Sequence, residues 1–495
     1  MKKAAVYDRW LHVLGGGERH TVAIAAALAK ENYQVEVLTH RPTDLDALQK
    51  KFGFESLPFT VRYLPELWDY EITPYTKEYD LFVLSSFADI IPSKAKTSLM
   101  SVFFPVSLHL TLKEWLTRVV IVPLFRFLFQ FPLYVQKDST TVTVGTNKAK
   151  KKIQIQLHFE TLALSTVEQL HATSTDVDVS FSKQVLHHSN DVVLTITSET
   201  PVRQWQIHFP ESEYTQNISA KVRTSGWHKL GQLLMKKVPS FGERFVAGPR
   251  KFFREELESY DQILSNSKYT KKWIAQYWGL NTPVVYPPVT IEDYPVSGKQ
   301  QKWIVSVGRF FVGGHSKKQL EMVEAFRALH KELPDWELHL VGSVNDTQIH
   351  RAYYEKVVAA AKDLPVIIHE NASFEELTSV LSKSRIYWHT TGLDIDEEKH
   401  PVMLEHFGLT VVEAMAAGCI PVVINKGGPA EIARDVGYTW NTLEELIHIT
   451  KHLAQDSDRL QQFKNKAIEA STQYGPSAFE TSFKEVLESC TQKSR

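Results

Sequence analysis

Two kinds of hydrophobic pattern divide this chain. Short runs of consecutive apolar residues alternate with amphipathic helical segments over residues 1–138, and this pattern returns from residue 241 onward. Such alternation is typical of parallel sheets that are covered by helices. Residues 139–240 instead contain several segments in which apolar and polar residues alternate, separated by Asn, Ser, Asp and Pro. That stretch predicts a β-sandwich or small barrel, inserted into an otherwise α/β chain.

The first α/β region opens with a strand, a glycine-rich loop and a helix. The pattern predicts strands at 3–7 and 34–40 and a helix over 19–30, with GGGER between the first strand and the helix. This order begins a doubly wound sheet. Gly16 and Gly17 would let the backbone approach a ligand closely, although a tight turn also requires glycine. Further parallel strands are predicted at 81–86 and 101–105.

The second α/β region places two cations after its first strand. Arg309 directly follows the strand in WIVSVGRF, at the sheet edge where open α/β folds bind ligands. Lys317 follows within HSKKQ, beside Lys318, so the role of Lys317 could belong to its neighbour. Two fixed cations suit a departing diphosphate. The alternative is a surface ion pair and a solvated lysine.

The segment 405–418, EHFGLTVVEAMAAG, predicts an anion site at the start of a helix. Thr410 and Glu413 stand in the relation of a capping box, and Gly418 ends the helix before a buried strand. Unpaired N–H groups in the first turn can bind phosphate, while Glu405 and Glu413 can accept hydrogen bonds from sugar hydroxyls. The pattern therefore favours a nucleotide sugar; alternatively, Glu413 only caps its own helix. The backbone candidates for binding the donor are Phe407, Gly408, Leu409 and Thr410.

Composition excludes several classes of protein. A chain of 495 residues is expected to form two or three domains, and 43% hydrophobic with 23% charged residues is typical of a globular protein. A net charge of −1 argues against nucleic-acid binding. The two cysteines have no metal-binding spacing, and MKKAAVYDRW lacks the apolar run of a signal peptide. We therefore expect a cytoplasmic protein.

One apolar segment raises the question of a membrane. Residues 119–135 are very apolar but include Arg126 and two prolines, so the segment suits an interfacial position better than a bilayer span. Arg118 and Arg126 would face lipid headgroups on the inner face of a membrane. A core helix of the first domain is the alternative.

The string EHFGLTVVEAMAAGCIPVV, followed by GGPAEI at 427–432, resembles the E-x7-E motif of retaining glycosyltransferases of family 4, which have the GT-B fold. The resemblance implies that Glu405 contacts the donor sugar and Glu413 the ribose. It also implies that Arg309 and Lys317 bind the diphosphate. No metal or other cofactor is expected, so Asp394-Ile395-Asp396 would not bind a cation.

The resemblance also implies a division into domains. Two Rossmann-like domains would face a cleft: an acceptor-side domain over 1–138 and 241–289, and a donor-binding domain over 290–475. Residues 139–240 would form the inserted β domain, and 476–495 a helix crossing back to the first domain. Many relatives carry a histidine after a first-domain strand. Here Phe103 and Phe104 occupy that place and His109 comes later, which leaves such a histidine in question.

The expected function is the transfer of a hexose from a nucleotide-diphosphate sugar to a glycan or glycolipid hydroxyl, in glycolipid, lipid-linked oligosaccharide or polysaccharide synthesis. One alternative is a sugar phosphorylase of the same architecture. Another is an inactive GT-B scaffold whose β insertion binds a glycan or a protein partner. Trp205 and Trp227 could stack on sugars there or fill a core. Nothing in the sequence indicates an oligomeric state.

Overall fold

A computed structural model describes most of the chain: residues 1–64, 69–87, 89–106, 132–137, 140–159, 164–174, 177–186, 190–210, 218–223, 254–344 and 347–493, together with positions 112, 116, 120, 121, 124, 128, 230 and 233. The chain forms two compact units. The first comprises residues 1–100 and 107–261, and the second comprises 101–106 and 262–495.

The first unit contains a parallel sheet with helices. Its strands lie in the order β5-β4-β1-β2-β3. Helix α1 begins at Gly16 rather than at the predicted Arg19, because Gly15 is its N-cap and donates its N–H to Glu18. The strand predicted at 101–105 lies earlier, because the fully buried run begins at Thr97. The elements are β1 (Lys2–Tyr7), α1 (Gly16–Lys30), β2 (Tyr33–Thr39), α2 (Leu45–Phe52), β3 (Thr60–Tyr63), α3 (Asp69–Thr76), β4 (Leu81–Leu84) and β5 (Thr97–Val102).

A separate antiparallel sheet follows. Its two long strands pair along their length with an irregularity between Thr197 and Gln204. The strands are β6 (Pro132–Lys137), β7 (Thr141–Phe159), β8 (His171–Thr173), β9 (Val179–Leu186), β10 (Asp191–His208) and β11 (Ile218–Val222), with helix α4 (Leu164–Gln169) between β7 and β8. The strands β6 and β8 flank one half of the β7–β10 pair, and β9 and β11 flank the other.

Both halves of this sheet contribute to one hydrophobic core. Val144 and Trp205 come from one half, and Ile155 and Leu194 from the other. Since two strand layers share a core, the arrangement is sandwich-like. Trp205 is fully buried, so it is a core residue and not a surface for stacking sugars. Trp227 lies outside the described residues.

The second unit is a six-stranded parallel sheet in the order β15-β14-β13-β16-β17-β18. Large hydrophobic clusters pack around it, as in a doubly wound fold. After the short helix α5 (Arg254–Leu257) of the first unit, the elements are β12 (Gln262–Ser265), α6 (Lys268–Trp278), β13 (Trp303–Val307), α7 (Gln319–His330), β14 (Glu337–Gly342), α8 (Gln348–Ala361), β15 (Val366–Glu370), α9 (Phe374–Lys383), β16 (Ile386–His389), α10 (Leu409–Ala416), β17 (Ile420–Ile424), α11 (Gly427–Ala433), β18 (Tyr438–Trp440), α12 (Leu443–Gln455), α13 (Ser457–Ser471) and α14 (Pro476–Lys493).

The two cysteines, Cys419 and Cys490, are buried and are not joined in a disulfide. Within the described ranges, no helix has both the length and the apolar character needed to cross a bilayer.

Candidate active site

Strand order in the second unit defines where a ligand would bind. The chain runs outward through β13, β14 and β15, then returns to place β16 on the other side of β13. The loops after β13 and β16 therefore diverge, which leaves a crevice at the carboxyl edge of the sheet. Arg309 follows β13 closely, and His389 is the last residue of β16. The predicted placement of Arg309 at the sheet edge is thus confirmed.

Helix α10 presents its N-terminus at this edge. Its N-cap is Gly408, which has a φ of 109° and provides no side-chain cap. Among the described residues, no acceptor pairs with the N–H groups of Gly408, Leu409 and Thr410. Three unpaired donors together with the helix dipole form a site suited to an anion.

The predicted capping box is wrong. Thr410 lies inside the helix, and its hydroxyl accepts a hydrogen bond of 2.8 Å from the hydroxyl of Tyr387. The N-cap position belongs to Gly408 because the chain needs a positive φ there, which threonine rarely adopts. Glu413 is buried one turn further along the same helix.

Lys317 and Glu405 form an ion pair at the same edge. The Lys317 ammonium contacts the Glu405 carboxylate, and the side chains are only 16% and 25% exposed. The backbone of Lys317 is fixed by a 2.6 Å hydrogen bond from Thr390 to its carbonyl oxygen. Although burial raises the pKa of the Glu405 carboxyl, Lys317 and His389 together hold that pKa well below 4.5. Glu405 is therefore an anion at neutral pH.

The neighbouring lysine points to other partners. Lys318 forms ion pairs with Glu321 at 3.2 Å and with Asp394 at 3.7 Å. The geometry therefore brings Lys317, and not Lys318, to Glu405. The carboxylate of Asp396 pairs with Lys399 at 2.9 Å, so each acid of the Asp394-Ile395-Asp396 sequence contacts a lysine. No cluster suited to a metal ion occurs among the residues that the structure describes.

Arg309 is the second predicted cation at this edge. Its guanidinium is exposed and lies 5.6 Å from the ring centre of Phe311. In the described part of the chain, no carboxylate pairs with it. The Gln319 side chain donates 3.1 Å hydrogen bonds to the carbonyl oxygens of Gly308 and Arg309, which fixes the backbone at the end of β13. Arg309 is thus well anchored and available to an anionic ligand.

The glycine pair at the start of α11 sets the position of the Glu405 loop. The N–H of Gly428 donates to the carbonyl oxygen of Glu405 at 2.9 Å. A Cβ at Gly428 would lie only 2.5 Å from the carbonyl oxygens of His406 and Phe407. The two backbones can approach this closely only because residue 428 has no side chain.

Three histidines surround Glu405 that the sequence reasoning did not single out. His389 is 99% buried and its Nε2 lies 3.9 Å from the Glu405 carboxylate, while the His315 ring lies edge-on to that of His406 at 4.9 Å. Burial lowers the pKa of His389 and His315, and that of His406 to about 3. All three are neutral at pH 7. The sequence could have identified His389 from its position at the end of the buried strand IYWH, because ligands of open α/β sheets bind where the strands end.

The segment 101–106 belongs to the same unit and reaches this site. The Phe104 ring stacks on that of His406, with ring centres 4.4 Å apart. Phe104 also joins Tyr269, Trp273 and Leu404 in a small hydrophobic cluster. A phenylalanine at this place therefore supports the Glu405 loop by packing and brings no titratable group.

Gly16 and Gly17 belong to the first unit. They form the first turn of α1, close to a buried polar cluster at the end of β1. Thr21 donates a 2.7 Å hydrogen bond to Asp8. Burial, together with the nearby Glu18, raises the pKa of Asp8 to about 8. The first unit thus carries its own polar loop.

Comparison with known structures defines the fold. The chain matches a glycosyltransferase from Rickettsia africae with a TM-score of 0.55 and 10% identity, over 99% of both chains. It matches HepE from Anabaena, solved in complex with UDP and glucose, with a TM-score of 0.53 and 12% identity, over 99% of this chain and 100% of HepE. The fold is the two-domain, Rossmann-like GT-B fold.

Sequence comparison finds a family model that matches part of the chain. Residues 291–469 match the family model of glycosyl transferases group 1. This range contains Arg309, Lys317, Glu405 and the start of α10.

Curated relatives that match are GDP-Man:Man(3)GlcNAc(2)-PP-Dol alpha-1,2-mannosyltransferases. The chain is 28% identical to the Dictyostelium discoideum protein over 243 residues, which is 45% of this chain and 46% of that one. It is 32% identical to the Xenopus laevis protein over 183 residues, or 34% and 35% of the two chains. The human protein is 27% identical over 250 residues. The matches thus span half the length of these relatives or less.

Proposed function

We propose that this chain is a glycosyltransferase that moves a hexose from a nucleoside diphosphate sugar to a hydroxyl group of a lipid-linked glycan. The observation that carries the proposal is the Lys317–Glu405 ion pair at the carboxyl edge of the second unit's sheet. The N-terminus of α10, with its unpaired N–H groups, lies at the same edge. Cations and unpaired N–H groups suit a diphosphate, and a carboxylate suits sugar hydroxyls. A nucleotide sugar requires both kinds of group.

Each residue then has a distinct role. Arg309, Lys317 and the N–H groups of Leu409 and Thr410 bind the diphosphate of the donor. Glu405 orients the sugar, and Glu413 contacts the ribose. When the donor binds, the Lys317 ammonium moves from sole contact with Glu405 to shared contact with the diphosphate. Because the cations are already in place, they stabilise the negative charge that develops on the leaving group.

The transfer is proposed to proceed with retention and without a metal ion. The acceptor oxygen forms a bond to the anomeric carbon on the face from which the diphosphate departs, and the bond from that carbon to the phosphate oxygen breaks. The proton of the acceptor hydroxyl passes to an oxygen of the departing diphosphate. The neutral histidines and Phe104 around Glu405 are consistent with a role for the donor phosphate in accepting this proton.

The relatives suggest the substrates to test first. Their names specify GDP-mannose as the donor and an oligosaccharide on dolichyl diphosphate as the acceptor. We infer that this chain uses GDP-mannose and a lipid-linked oligosaccharide. The range that matches the family model of glycosyl transferases group 1 includes the proposed donor site, which supports a glycosyl donor there.

A lipid-linked acceptor calls for contact with a membrane, and exposed apolar residues support it. Leu112, Leu116, Leu124 and Leu128 are helical and 74%, 41%, 53% and 49% exposed. Large exposed apolar side chains favour a peripheral position on a membrane over a core helix. Arg118 and Arg126 lie outside the described residues.

An inactive scaffold is the second candidate, and the residue at position 104 favours it. Phe104 occupies the region where a first-domain histidine is expected, and it is buried against His406. In that case the donor site would bind a nucleotide sugar without cleaving it.

The test is a transfer assay with GDP-mannose carrying a labelled sugar. With a lipid-linked oligosaccharide in detergent or vesicles, we expect labelled lipid-linked product and an equal amount of released GDP. UDP-glucose provides the comparison donor and should give a lower rate. Stabilisation of the protein by GDP-mannose without any GDP release, with or without acceptor, would overturn the proposal in favour of the inactive scaffold.

A further inference from the structure

A second polar site lies at the opposite edge of the same sheet. A cavity of about 300 Å³ is formed where β13, β16 and β17 begin. The proposed donor site lies at the other edge, where β13 and β16 end. Its volume is at the lower end of the range for small-molecule pockets. The lining residues are Gly298, Lys299, Gln300, Arg385, Ile420, Ser457, Leu460, Gln461 and Lys464.

The lining is positively charged and contains no acid. Lys299, Arg385 and Lys464 contribute three cations. In the described part of the chain, none of the three forms an ion pair. Other surface lysines lie beside carboxylates, as Lys302 does with Asp335 and Lys451 with Glu332. The cavity thus concentrates positive charge that the protein does not neutralise.

Backbone contacts hold two of these cations in place. The Arg385 guanidinium donates to the carbonyl oxygen of Gln300 at 3.2 Å, and the Lys464 ammonium donates to that of Ser297 at 3.3 Å. Both side chains are half-buried, whereas Lys299 is exposed at the rim. Burial lowers the pKa of Lys464, and the neighbouring Arg385 lowers it further. An anion between them would relieve this repulsion.

An apolar wall complements a ligand that carries an organic part. The Gln300 amide donates hydrogen bonds to the carbonyl oxygens of Ser384 and Gly418, at 2.6 and 3.0 Å, which fixes one side of the cavity. Ile420 and Leu460 supply an apolar wall.

We propose that this cavity, built from Lys299, Arg385 and Lys464, is a binding site for a small phosphorylated molecule, distinct from the proposed donor site. The inference does not depend on the proposed glycosyl transfer, because none of its residues belongs to that site. Three cations beside an apolar wall fit a phosphate ester better than a bare ion.

The test is isothermal calorimetry with inorganic pyrophosphate, using the full chain. Pyrophosphate can also bind at the donor edge, so every variant is made in an Arg309→Ala background. We expect Lys464→Gln and Lys299→Gln each to raise the Kd at least tenfold. The matched control is Lys356→Gln, which removes the same charge from an exposed position on α8 and should leave the Kd unchanged. Lys299 is exposed, so its variant is informative even if Lys464→Gln impairs folding.

Two outcomes would overturn the inference. One is an equal Kd in the cavity variants and in Lys356→Gln. The other is loss of all pyrophosphate binding on replacing Arg309 alone, which would leave the donor edge as the site of binding.

A vesicle arm identifies the source of the phosphate. If sedimentation with phosphatidic acid vesicles depends on Lys464, the phosphate belongs to a lipid headgroup; if it does not, the ligand is a soluble phosphate.

Discussion

Replacing Lys317 by alanine is expected to lower the rate of sugar transfer about a hundredfold, and replacing Arg309 is expected to do the same. Removing one preorganised group that stabilises transition-state charge typically costs on the order of 3 kcal/mol. Lys317 contacts Glu405, and Arg309 has no carboxylate partner within the described ranges, so both can meet the diphosphate. The measurement is kcat with GDP-mannose at saturating acceptor.

Lys318→Ala is the matched control for this prediction. It removes the same charge one residue away, but from an ammonium group that pairs with Glu321 and Asp394. Its rate should stay within about twofold of that of the wild type, because surface ion pairs contribute little. A hundredfold loss of rate in Lys318→Ala, with the rate of Lys317→Ala unchanged, would mean that Lys318 and not Lys317 contacts the diphosphate.

Folding must be separated from catalysis in the Lys317 variant. The lowered pKa of Glu405 means that its ionised form stabilises the fold at pH values above about 4.5, and that this stabilisation disappears as the pH falls through the folded-state pKa. Lys317→Ala removes the main partner of that carboxylate and will lower stability. Arg309→Ala removes an exposed side chain that forms no ion pair with the described residues, so a rate loss there reports on catalysis with little effect on folding.

Gly428→Ala is expected to abolish transfer and to destabilise the protein by about 1–3 kcal/mol, the usual cost of forcing extra atoms into a packed site. The added Cβ would lie 2.5 Å from the carbonyl oxygens of His406 and Phe407. These atoms belong to backbone, which cannot turn away as a side chain can. The loop that carries Glu405 must therefore shift. Thermal unfolding and the transfer rate measure the two effects.

Gly53→Ala separates the two effects of the Gly428 variant. Gly53 has a φ of 73° with no atom within 4 Å of an added Cβ, so alanine there strains the backbone without a clash. A loss of about 1 kcal/mol in stability with normal transfer is expected. If Gly428→Ala transfers sugar at the wild-type rate, the position of the Glu405 loop does not depend on this contact.

Much of the fold was predictable because its signals are local. Apolar runs that alternate with helical periodicity predicted the parallel sheets, and period-two alternation predicted the inserted β-strands. Arg309 could be placed at the ligand-binding edge because it follows a buried strand within two residues. Boundaries were less predictable: α1 begins at Gly16 because Gly15 is its N-cap and donates its N–H to Glu18, a local contact that the predicted start at Arg19 overlooked.

The rest of the candidate site depends on contacts between distant segments. The sequence named Lys317 but could not separate it from Lys318, since both follow the same strand. The structure shows that Lys317 is the lysine that contacts Glu405. His389 ends strand β16 and His315 lies in the loop after β13, and no spacing in the sequence relates them. Thr410 was misjudged as a cap because the S/T-x-x-E pattern does not reveal that its hydroxyl pairs with Tyr387.

The central claim is that the edge formed by Arg309, Lys317 and the start of α10 binds the diphosphate of a nucleotide sugar. A crystal structure of the chain soaked with GDP tests it most directly. The account predicts phosphate oxygens within hydrogen-bonding distance of the N–H groups of Leu409 and Thr410, with the Lys317 ammonium between the diphosphate and Glu405. A diphosphate bound elsewhere, with Lys317 still paired to Glu405 alone, would contradict it.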